Sequence, residues 1–434
     1  MINFLAIGSG ILICTGLFLI FWLQRGAPTE KTANHEDSFV GEVRGLLNEF
    51  YPDTALTYNS ETDTFEPDDE NGDGPRMFLG NLRSRTQDMS ESDRLAFMRS
   101  FLGHVSQETE ITPEILRESL LMRNRTPEEF SNRQIMMTPT NDEDPFESII
   151  IAKGEMLFEP VLDLDNALQP MTVDIMRKHG FAFDEFIQLA SQNLLKVTPE
   201  KTTEHWELIA ENIWISKLND DYDAARLFLF PEQLSLPIEG PLIAYAPSHA
   251  ICLITGQTDS ETLRQMIELG NQSSETHRPL SQALWQQTEA GWSRMQSNDR
   301  NSVEGRAYLI ETLNAYDDQQ NSLTQYFEKT DQDIHVSRII TRSHEKVKDG
   351  PIIETLSVFI GQGSYLPKTD FVVLSFDENL KEGDLSEIGW DKFIEIIGKE
   401  NLRPHPDYLP VRFIYTGTLS QDKIDALNVA ATQL

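Results

Sequence analysis

A long apolar run opens the chain. Residues 2–24 contain no Asp, Glu, Lys or Arg. A helix rises about 1.5 Å per residue, so this run is long enough to cross a hydrocarbon layer of about 30 Å. The pattern predicts a transmembrane anchor at residues 2–24, with the lipid bilayer as its partner.

Two other interpretations of this run fit less well. A secretory signal peptide needs a basic segment, a shorter apolar stretch and a small-residue cleavage site. No Lys or Arg precedes the run, and Gln24, Arg25 and Gly26 follow it. A buried core helix that is apolar on every side would need protein around its whole circumference. We therefore expect an uncleaved anchor.

The cations near the run set the expected orientation. Arg25, Lys31 and Arg44 follow it, whereas only the terminal amine precedes it. Basic residues beside a membrane helix tend to stay on the cytoplasmic side. Residues 25–37 are polar and contain Pro28, which indicates a flexible tether. The expected protein is single-pass, with its C-terminal domains in the cytoplasm.

Residues 38–296 alternate between helical and strand patterns, which predicts a first α+β domain. Apolar side chains recur at helical spacing after Ser38, and Gly180 separates two further helical segments. Short apolar runs bounded by turn residues predict strands. The expected helices cover 39–50, 92–105, 170–179, 183–196 and 258–270, and the expected strands cover 55–58, 64–66, 242–246 and 250–254.

A polar, turn-rich segment at 296–302 predicts a boundary, after which residues 303–434 form a second α+β domain. A helix is expected after Ser302 and another around Trp390, and Ser420 is expected to cap a last helix. Strands are expected at 334–341, 352–360, 371–376 and 411–415. The predicted fold class is α+β, with one N-terminal transmembrane helix followed by two domains of mixed content.

Three features carry a resemblance to a known family. They are the run Asn219-Asp-Asp-Tyr-Asp-Ala-Ala-Arg226, the paired strands around Pro247, and the run Ile175-Met-Arg-Lys-His-Gly180 with the helix after it. Together they resemble the YtpQ-like family, bacterial proteins of unknown function, over about residues 38–296. The resemblance implies a hairpin at 280–295, where helical spacing alone would also allow a helix. It implies no catalytic residues and does not extend to the anchor or to residues 303–434.

The charge balance narrows the classes of partner. The chain has 36 basic and 70 acidic side chains and a net charge of -34. Such a surface repels phosphates, so nucleic acid is not an expected partner. Its two cysteines are Cys14 in the predicted anchor and Cys252 in a predicted strand, which excludes a disulfide framework.

Asp220, Asp221, Asp223 and Arg226 form the first group with candidate chemistry. Their carboxylates could hold a metal or accept a substrate proton. A local structural role is the alternative. Asp220 would then cap a helix running to Phe230, Asp223 would lie in its first turn, and Arg226 would pair with Asp223.

Two weaker candidates follow. His249 lies close in sequence to Cys252, so a Cys–His nucleophile is one interpretation, with a buried and inert Cys as the other. Asp69, Asn71 and Asp73 match the opening of a calcium loop. The twelfth position of that loop is Gly80 instead of Glu, which favours an acidic turn. We predict no bound metal and no cofactor.

These features favour an interaction or scaffold protein that exposes acidic domains to a protein partner at the cytoplasmic face of a membrane. An enzyme is the less favoured class. The alternative hypothesis is a metal-dependent or hydrolytic enzyme that uses the cluster from Asp220 to Asp223.

Overall fold

The computed structural model of the chain describes residues 38–433 with several gaps. The gaps are 53–54, 61–63, 68–76, 80–81, 84–85, 87–88, 107–110, 139–146, 165–166, 231–235, 275–278, 345–351, 377–385 and 406–407. The contacts divide the chain into two compact units, residues 1–108 and residues 109–434. Each unit is α+β.

In its described residues, the first unit combines two helices with a small antiparallel sheet. Its elements are α1 (Ser38–Phe50), β1 (Leu56–Asn59), β2 (Thr64–Pro67), β3 (Met77–Phe78) and α2 (Glu91–Ser106). Val43 and Leu47 recur at i, i+4 on α1, and both are buried with Phe65 of β2 and Met98 of α2. Helical periodicity therefore places one apolar face of each helix in a shared core.

The second unit begins with two layers of antiparallel strands and the helices that cover them. Its elements to residue 294 are α3 (Pro113–Ser119), β4 (Leu120–Arg125), α4 (Pro127–Met137), β5 (Ile151–Lys153), β6 (Met156–Leu164), β7 (Ala167–Pro170), α5 (Val173–Lys178), α6 (Phe183–Lys196), α7 (Thr202–His205), β8 (Trp206–Ala210), β9 (Ile213–Ser216), a 3-10 helix (Ala224–Leu229), β10 (Ile243–Ser248), β11 (Ile251–Thr255), α8 (Ser260–Ser274), β12 (Leu284–Thr288) and β13 (Gly291–Arg294).

The rest of the second unit begins with one long helix. Its elements are α9 (Val303–Lys329), β14 (His335–Val336), β15 (Ile340–His344), β16 (Ile352–Phe359), β17 (Ser364–Pro367), β18 (Phe371–Leu374), β19 (Ser386–Gly389), α10 (Trp390–Ile397), a 3-10 helix (Lys399–Asn401), β20 (Leu402–Pro404), β21 (Arg412–Tyr415), α11 (Gln421–Ala430) and β22 (Thr432–Gln433). Helix α9 contacts α4, α8 and β12. The boundary expected at 296–302 therefore lies inside this unit.

Four sheets organise the second unit. The largest has six antiparallel strands in the order β13-β12-β10-β11-β9-β8. A second sheet centres on β6, which pairs with β4, β5 and β7. The other two have the orders β14-β17-β21-β20 and β15-β16-β18-β19-β22, and each contains one parallel pair.

The six-stranded sheet is buried on both faces at its centre and exposed at one end. Every residue of β10 and β11 is buried. Side chains such as Cys252 and Ile254 face the main core cluster, whereas Tyr245 and Leu253 face helix α8. Such runs without alternation are typical of strands covered on both sides. At β8 the cover ends, and only Trp206 is fully buried.

The opposite end of this sheet is closed by the turn between β5 and β6. Gly154 forms a parallel bridge with Trp292 of β13, and the Glu155 N–H donates to the Trp292 carbonyl at 2.7 Å. The φ angles of Gly154 and Gly291 are 68° and 114°, which favour glycine. A Cβ at Gly154 would lie 2.5 Å from the Trp292 carbonyl oxygen. Glycine therefore permits the close backbone contact that covers β13.

The predicted fold class included a transmembrane helix, and this part of the prediction is contradicted. Within the described ranges, no helix combines the length and the apolar character that crossing a bilayer requires. The predicted anchor at 2–24 and the tether at 25–37 lie outside the described residues. The α+β content of the fold class is present in both units.

Most predicted elements are confirmed. Helices α1, α2, α6 and α10 and the strands β10 and β11 lie where periodicity placed them. Ser420 caps α11 by accepting a hydrogen bond from the Lys423 N–H. The segment 280–295 contains the hairpin β12–β13 and not a helix. Helix α8 differs from the predicted range 258–270 because it begins at Ser260, after the capping residue Asp259, and continues past Gly270 to Ser274.

Candidate functional site

The strongest cluster of polar side chains in the second unit surrounds Arg226. The loop before the 3-10 helix turns sharply, with φ angles of 51° at Asn219 and 62° at Asp221. Asn and Asp tolerate this left-handed conformation better than most residues. The Asp220 carboxylate accepts the Tyr222 N–H at 3.0 Å, which closes an Asx turn. This loop directs Asp220 and Asp223 towards one guanidinium.

Arg226 is fully buried and uses its guanidinium to join this loop to the end of α6. It binds the Asp220 carboxylate with two hydrogen bonds of 2.6 and 2.8 Å. Its contact with the buried Asp223 carboxylate is longer, 3.4 Å. The Nε–H donates to the Thr198 hydroxyl at 3.0 Å. We name Thr198, Asp220, Asp223 and Arg226 the Arg226 cluster.

Asp223 differs from Asp220 in exposure and in titration. It is fully buried, whereas the Asp220 side chain is 35% exposed. Burial and the negative charge of Asp220 raise the pKa of Asp223 to about 6, although Arg226, the Asn219 N–H and the Ser216 hydroxyl act in the opposite direction. Burial prevails because the short bonds of Arg226 go to Asp220.

The structure corrects the predicted roles in this cluster. Asp220 does not cap a helix that runs to Phe230. The observed element is the 3-10 helix Ala224–Leu229, and the residue at its N-cap position is Asp223. Arg226 pairs with Asp223, as expected, and more closely with Asp220. Asp221 is half-buried beside them and is not among the hydrogen-bond partners of Arg226 described above.

Two residues, one in this cluster and one beside it, were not predicted as site residues. Thr198 follows the last turn of α6, and its hydroxyl donates to the Leu194 carbonyl at 2.7 Å. Ser216 ends β9, and its hydroxyl accepts the Cys252 N–H at 3.2 Å. Thr198 precedes Pro199, which is a helix-ending signal. Neither position has a pattern that could reveal a contact with residues distant in sequence.

His249 and Cys252 contact the surroundings of the Arg226 cluster through main-chain hydrogen bonds. The His249 carbonyl accepts the Ala224 N–H at 3.0 Å, and His249 is buried in the turn between β10 and β11. Burial raises the pKa of the Cys252 thiol well above its usual value, and the charge of Asp223 acts in the same direction. Cys252 is therefore a protonated thiol at neutral pH, which does not suit a nucleophile.

No metal centre is found in the part of the chain that the structure describes, where no three His, Cys, Asp or Glu side chains are placed to hold an ion. The calcium-loop candidates Asp69, Asn71 and Asp73 lie outside the described residues. The Arg226 cluster has one cation and two carboxylates in direct contact. Arg226 attracts both carboxylates, and Asp223 has no exposed surface for a substrate.

Comparisons with protein-family models, curated proteins and solved structures returned no match. The resemblance to the YtpQ-like family over residues 38–296 stays a prediction. The candidate functions below therefore rest on the geometry of this chain alone.

A cleft of about 580 Å³ lies beside β12 and β13, away from the predicted site residues. Its walls include Trp292, Leu242 and Lys153. The Lys153 ammonium donates to the Phe228 carbonyl at 2.6 Å and lies 4.6 Å from the centre of the Phe228 ring. The Lys153 ammonium therefore binds a carbonyl and a ring of the protein and not the interior of the cleft. The residues that line the cleft include neither His249 nor the candidate acids Asp220, Asp221 and Asp223.

A second buried arginine lies in the C-terminal part of the unit. Arg412 of β21 is fully buried, and its partners are neutral oxygen atoms. It donates to the Gln319 amide oxygen at 2.6 Å, the Ser337 carbonyl at 2.7 Å and the Tyr316 carbonyl at 3.0 Å. Burial lowers the pKa of Arg412 to about 10, so it stays charged at neutral pH. This arginine joins α9 to the four-stranded sheet that contains β21.

The raised pKa of Asp223 predicts a pH-dependent stability. A carboxyl with a folded pKa of about 6 and an unfolded value of 3.8 binds its proton more tightly in the folded state. Its contribution to stability is complete below pH 3.8 and is lost as the pH rises through 6. We expect the unfolding free energy of the wild type, minus that of Asp223→Asn, to fall by up to about 3 kcal/mol between pH 4 and pH 7.

Urea denaturation of both proteins across this range measures the difference. Asp259→Asn is a control of opposite sign, because hydrogen bonds from the Thr262 N–H and hydroxyl lower the pKa of Asp259. The stability that Asp259 contributes is present at high pH and is lost as the pH falls. A difference for Asp223 that is constant or rises with pH would contradict the prediction.

Proposed function

We propose that this chain is a protein-interaction module that binds another polypeptide at the β8 edge, defined as Trp206–Ala210. One observation carries the proposal. Strand β8 ends the six-stranded sheet, its only strand partner in the described ranges is β9, and its Leu208 and Ile209 side chains are 53% and 37% exposed. An uncovered strand edge with apolar side chains is a template for pairing with another chain.

Two other sheet ends in the second unit support this choice by contrast. The opposite edge of the same sheet is covered by Gly154 and Glu155. Strand β15 ends the five-stranded sheet, but the guanidinium of Arg342 and the polar ring of His344 lie along it. Both bind carboxylates of the same sheet, Arg342 through Glu387 and Glu354 and His344 through Glu354. Charges on an edge discourage strand addition. The β8 edge differs in having two adjacent exposed apolar side chains, Leu208 and Ile209, with one exposed carboxylate, Glu207.

The enzyme hypothesis has less support. Asp223 is fully buried and Asp220 is held by two short hydrogen bonds from Arg226. A general base needs to reach a substrate proton within hydrogen-bond distance, and a metal site needs several free ligands. The Arg226 cluster instead satisfies its own charges, which supports a structural role.

Site-specific crosslinking in cells tests the proposed function. A photoreactive amino acid at position 208 should give a discrete adduct of constant mass with a partner protein. The same amino acid at Val429 is the matched control, since this apolar side chain on α11 is 87% exposed. We expect no such adduct there. The absence of an adduct at 208, or the same adducts at both positions, would overturn the proposal.

A further inference from the structure

The occupant of the β8 edge can be specified further, and this step rests on the proposed function. We infer that the partner adds as an extended strand beside β8 and that its sequence alternates basic and apolar residues. The backbone of the edge, the direction of its side chains and its charge each contribute to this inference.

The backbone offers a short regular ladder. Trp206, Glu207 and Leu208 pair in register with Ser216, Ile215 and Trp214 of β9. After Leu208 the register shifts, so Ile209 lies in a bulge next to the turn. In an end strand, the N–H and C=O groups that point away from the neighbouring strand are available to a new one. An added strand can therefore pair along Trp206–Leu208 before the bulge ends the ladder.

The side chains of this ladder alternate between the two faces of the sheet. Trp206 and Leu208 share the face of the main core cluster, on which Trp214 of β9 is half-buried. Glu207 points to the other face and is exposed. Directly opposed side chains of neighbouring strands contact each other. The partner residue opposite Leu208 is therefore apolar, and the residue opposite Glu207 is basic.

The charge around the edge selects the same partner. Residues 202–216, which include the whole β8–β9 hairpin, contain no Lys or Arg, and Glu207 and Glu211 are exposed there. Lys217 follows β9, and its N–H donates to the His205 carbonyl at the start of the edge. The nearby Glu204 is paired with Lys201 at 3.1 Å. The chain as a whole has a net charge of -34. Like charges repel an acidic segment and also a second copy of this chain, whereas a basic segment is attracted.

Peptide binding to the full chain tests the inference. The probes are a ten-residue peptide of alternating Lys and Val, the same length of alternating Glu and Val, and a peptide with five Lys followed by five Val. Fluorescence anisotropy should show the alternating Lys–Val peptide binding at least tenfold more tightly than the other two. Hydrogen exchange should slow at the backbone amides of Trp206 and Leu208, which point away from β9, when it is bound.

Two charge reversals separate a strand site from general attraction to an acidic protein. Glu207→Lys should weaken the alternating Lys–Val peptide at least tenfold and tighten the alternating Glu–Val peptide. Glu328→Lys makes the same change in charge at an exposed position near the end of α9 and should leave both affinities within twofold. Circular dichroism spectra check that both variants are folded.

Each other outcome has a definite meaning. Equal binding of the alternating and block peptides, or an equal loss in Glu207→Lys and Glu328→Lys, would show attraction by net charge only and overturn the inference. Preference for the Glu–Val peptide would overturn it too. A dimer that Leu208→Lys dissociates in sedimentation would identify a second copy as the occupant. A crosslink at position 208 without binding of any peptide would leave the proposed function standing and reject this partner class.

Discussion

Replacing Arg226 by methionine should lower the free energy of unfolding by about 3–5 kcal/mol, the cost of removing one partner of a buried ion pair. Methionine has a similar length but no charge and no donors. Asp220 is partly exposed and can regain water, whereas Asp223 stays buried without its cation. The Thr198 hydroxyl loses the Nε–H donor as well. Urea denaturation at pH 7 measures the loss.

The control for this prediction is another arginine in an i,i+3 pair. Arg264 contacts Glu261 on α8, and both side chains are more than half exposed, so Arg264→Met should change stability by less than about 1 kcal/mol. At pH 5 the loss in Arg226→Met should shrink, because Asp223 can then take up a proton. Equal losses in the two variants, or an Arg226 loss independent of pH, would contradict the assigned contacts.

Arg412→Met should destabilise the protein by about 2–4 kcal/mol, because it leaves buried oxygen acceptors without their donor. Those acceptors are the Gln319 amide and the carbonyls of Ser337 and Tyr316. Arg412 has no carboxylate among these partners, so the loss arises from unsatisfied acceptors and not from a broken ion pair. Thermal and urea denaturation both measure it.

Arg403→Met provides the comparison for Arg412. Arg403 is exposed on β20, the strand next to β21, and its replacement should change stability by less than about 0.5 kcal/mol. Arg412→Lys should recover only part of the loss, since an ammonium cannot reproduce the fork of a guanidinium. Unchanged or increased stability in Arg412→Met would mean that desolvation of the charge outweighs its hydrogen bonds.

Helical periodicity predicted the elements whose burial follows hydropathy. On α6, Phe186, Ala190 and Leu194 recur at i, i+4 and are fully buried in the core. Strand β4 shows the opposite case. Its Arg123, Asn124 and Arg125 are polar but buried, so hydropathy gave no strand there. Arg125 is satisfied by the buried Glu159 of β6, a contact between residues 34 positions apart that one sequence does not reveal.

The candidate site illustrates the same limit. The sequence pointed to Asp220, Asp223 and Arg226, and the structure brings these three together. The sequence alone could not reveal that the Thr198 hydroxyl accepts a hydrogen bond from Arg226 or that Asp223 is fully buried. No strands were predicted for the hairpin β8–β9, in which Leu208 and Ile209 are apolar yet exposed. Exposed apolar residues at a binding surface break the relation between hydropathy and burial on which such predictions depend.

The glycine contact at β13 has a consequence for stoichiometry. Polymers that grow by strand addition need two accepting sides on each sheet, one for the incoming subunit and one for the next. Gly154 and Glu155 already occupy one side of the six-stranded sheet. This sheet therefore accepts an added strand only at Trp206–Ala210, and copies of this chain cannot polymerise through both ends of it.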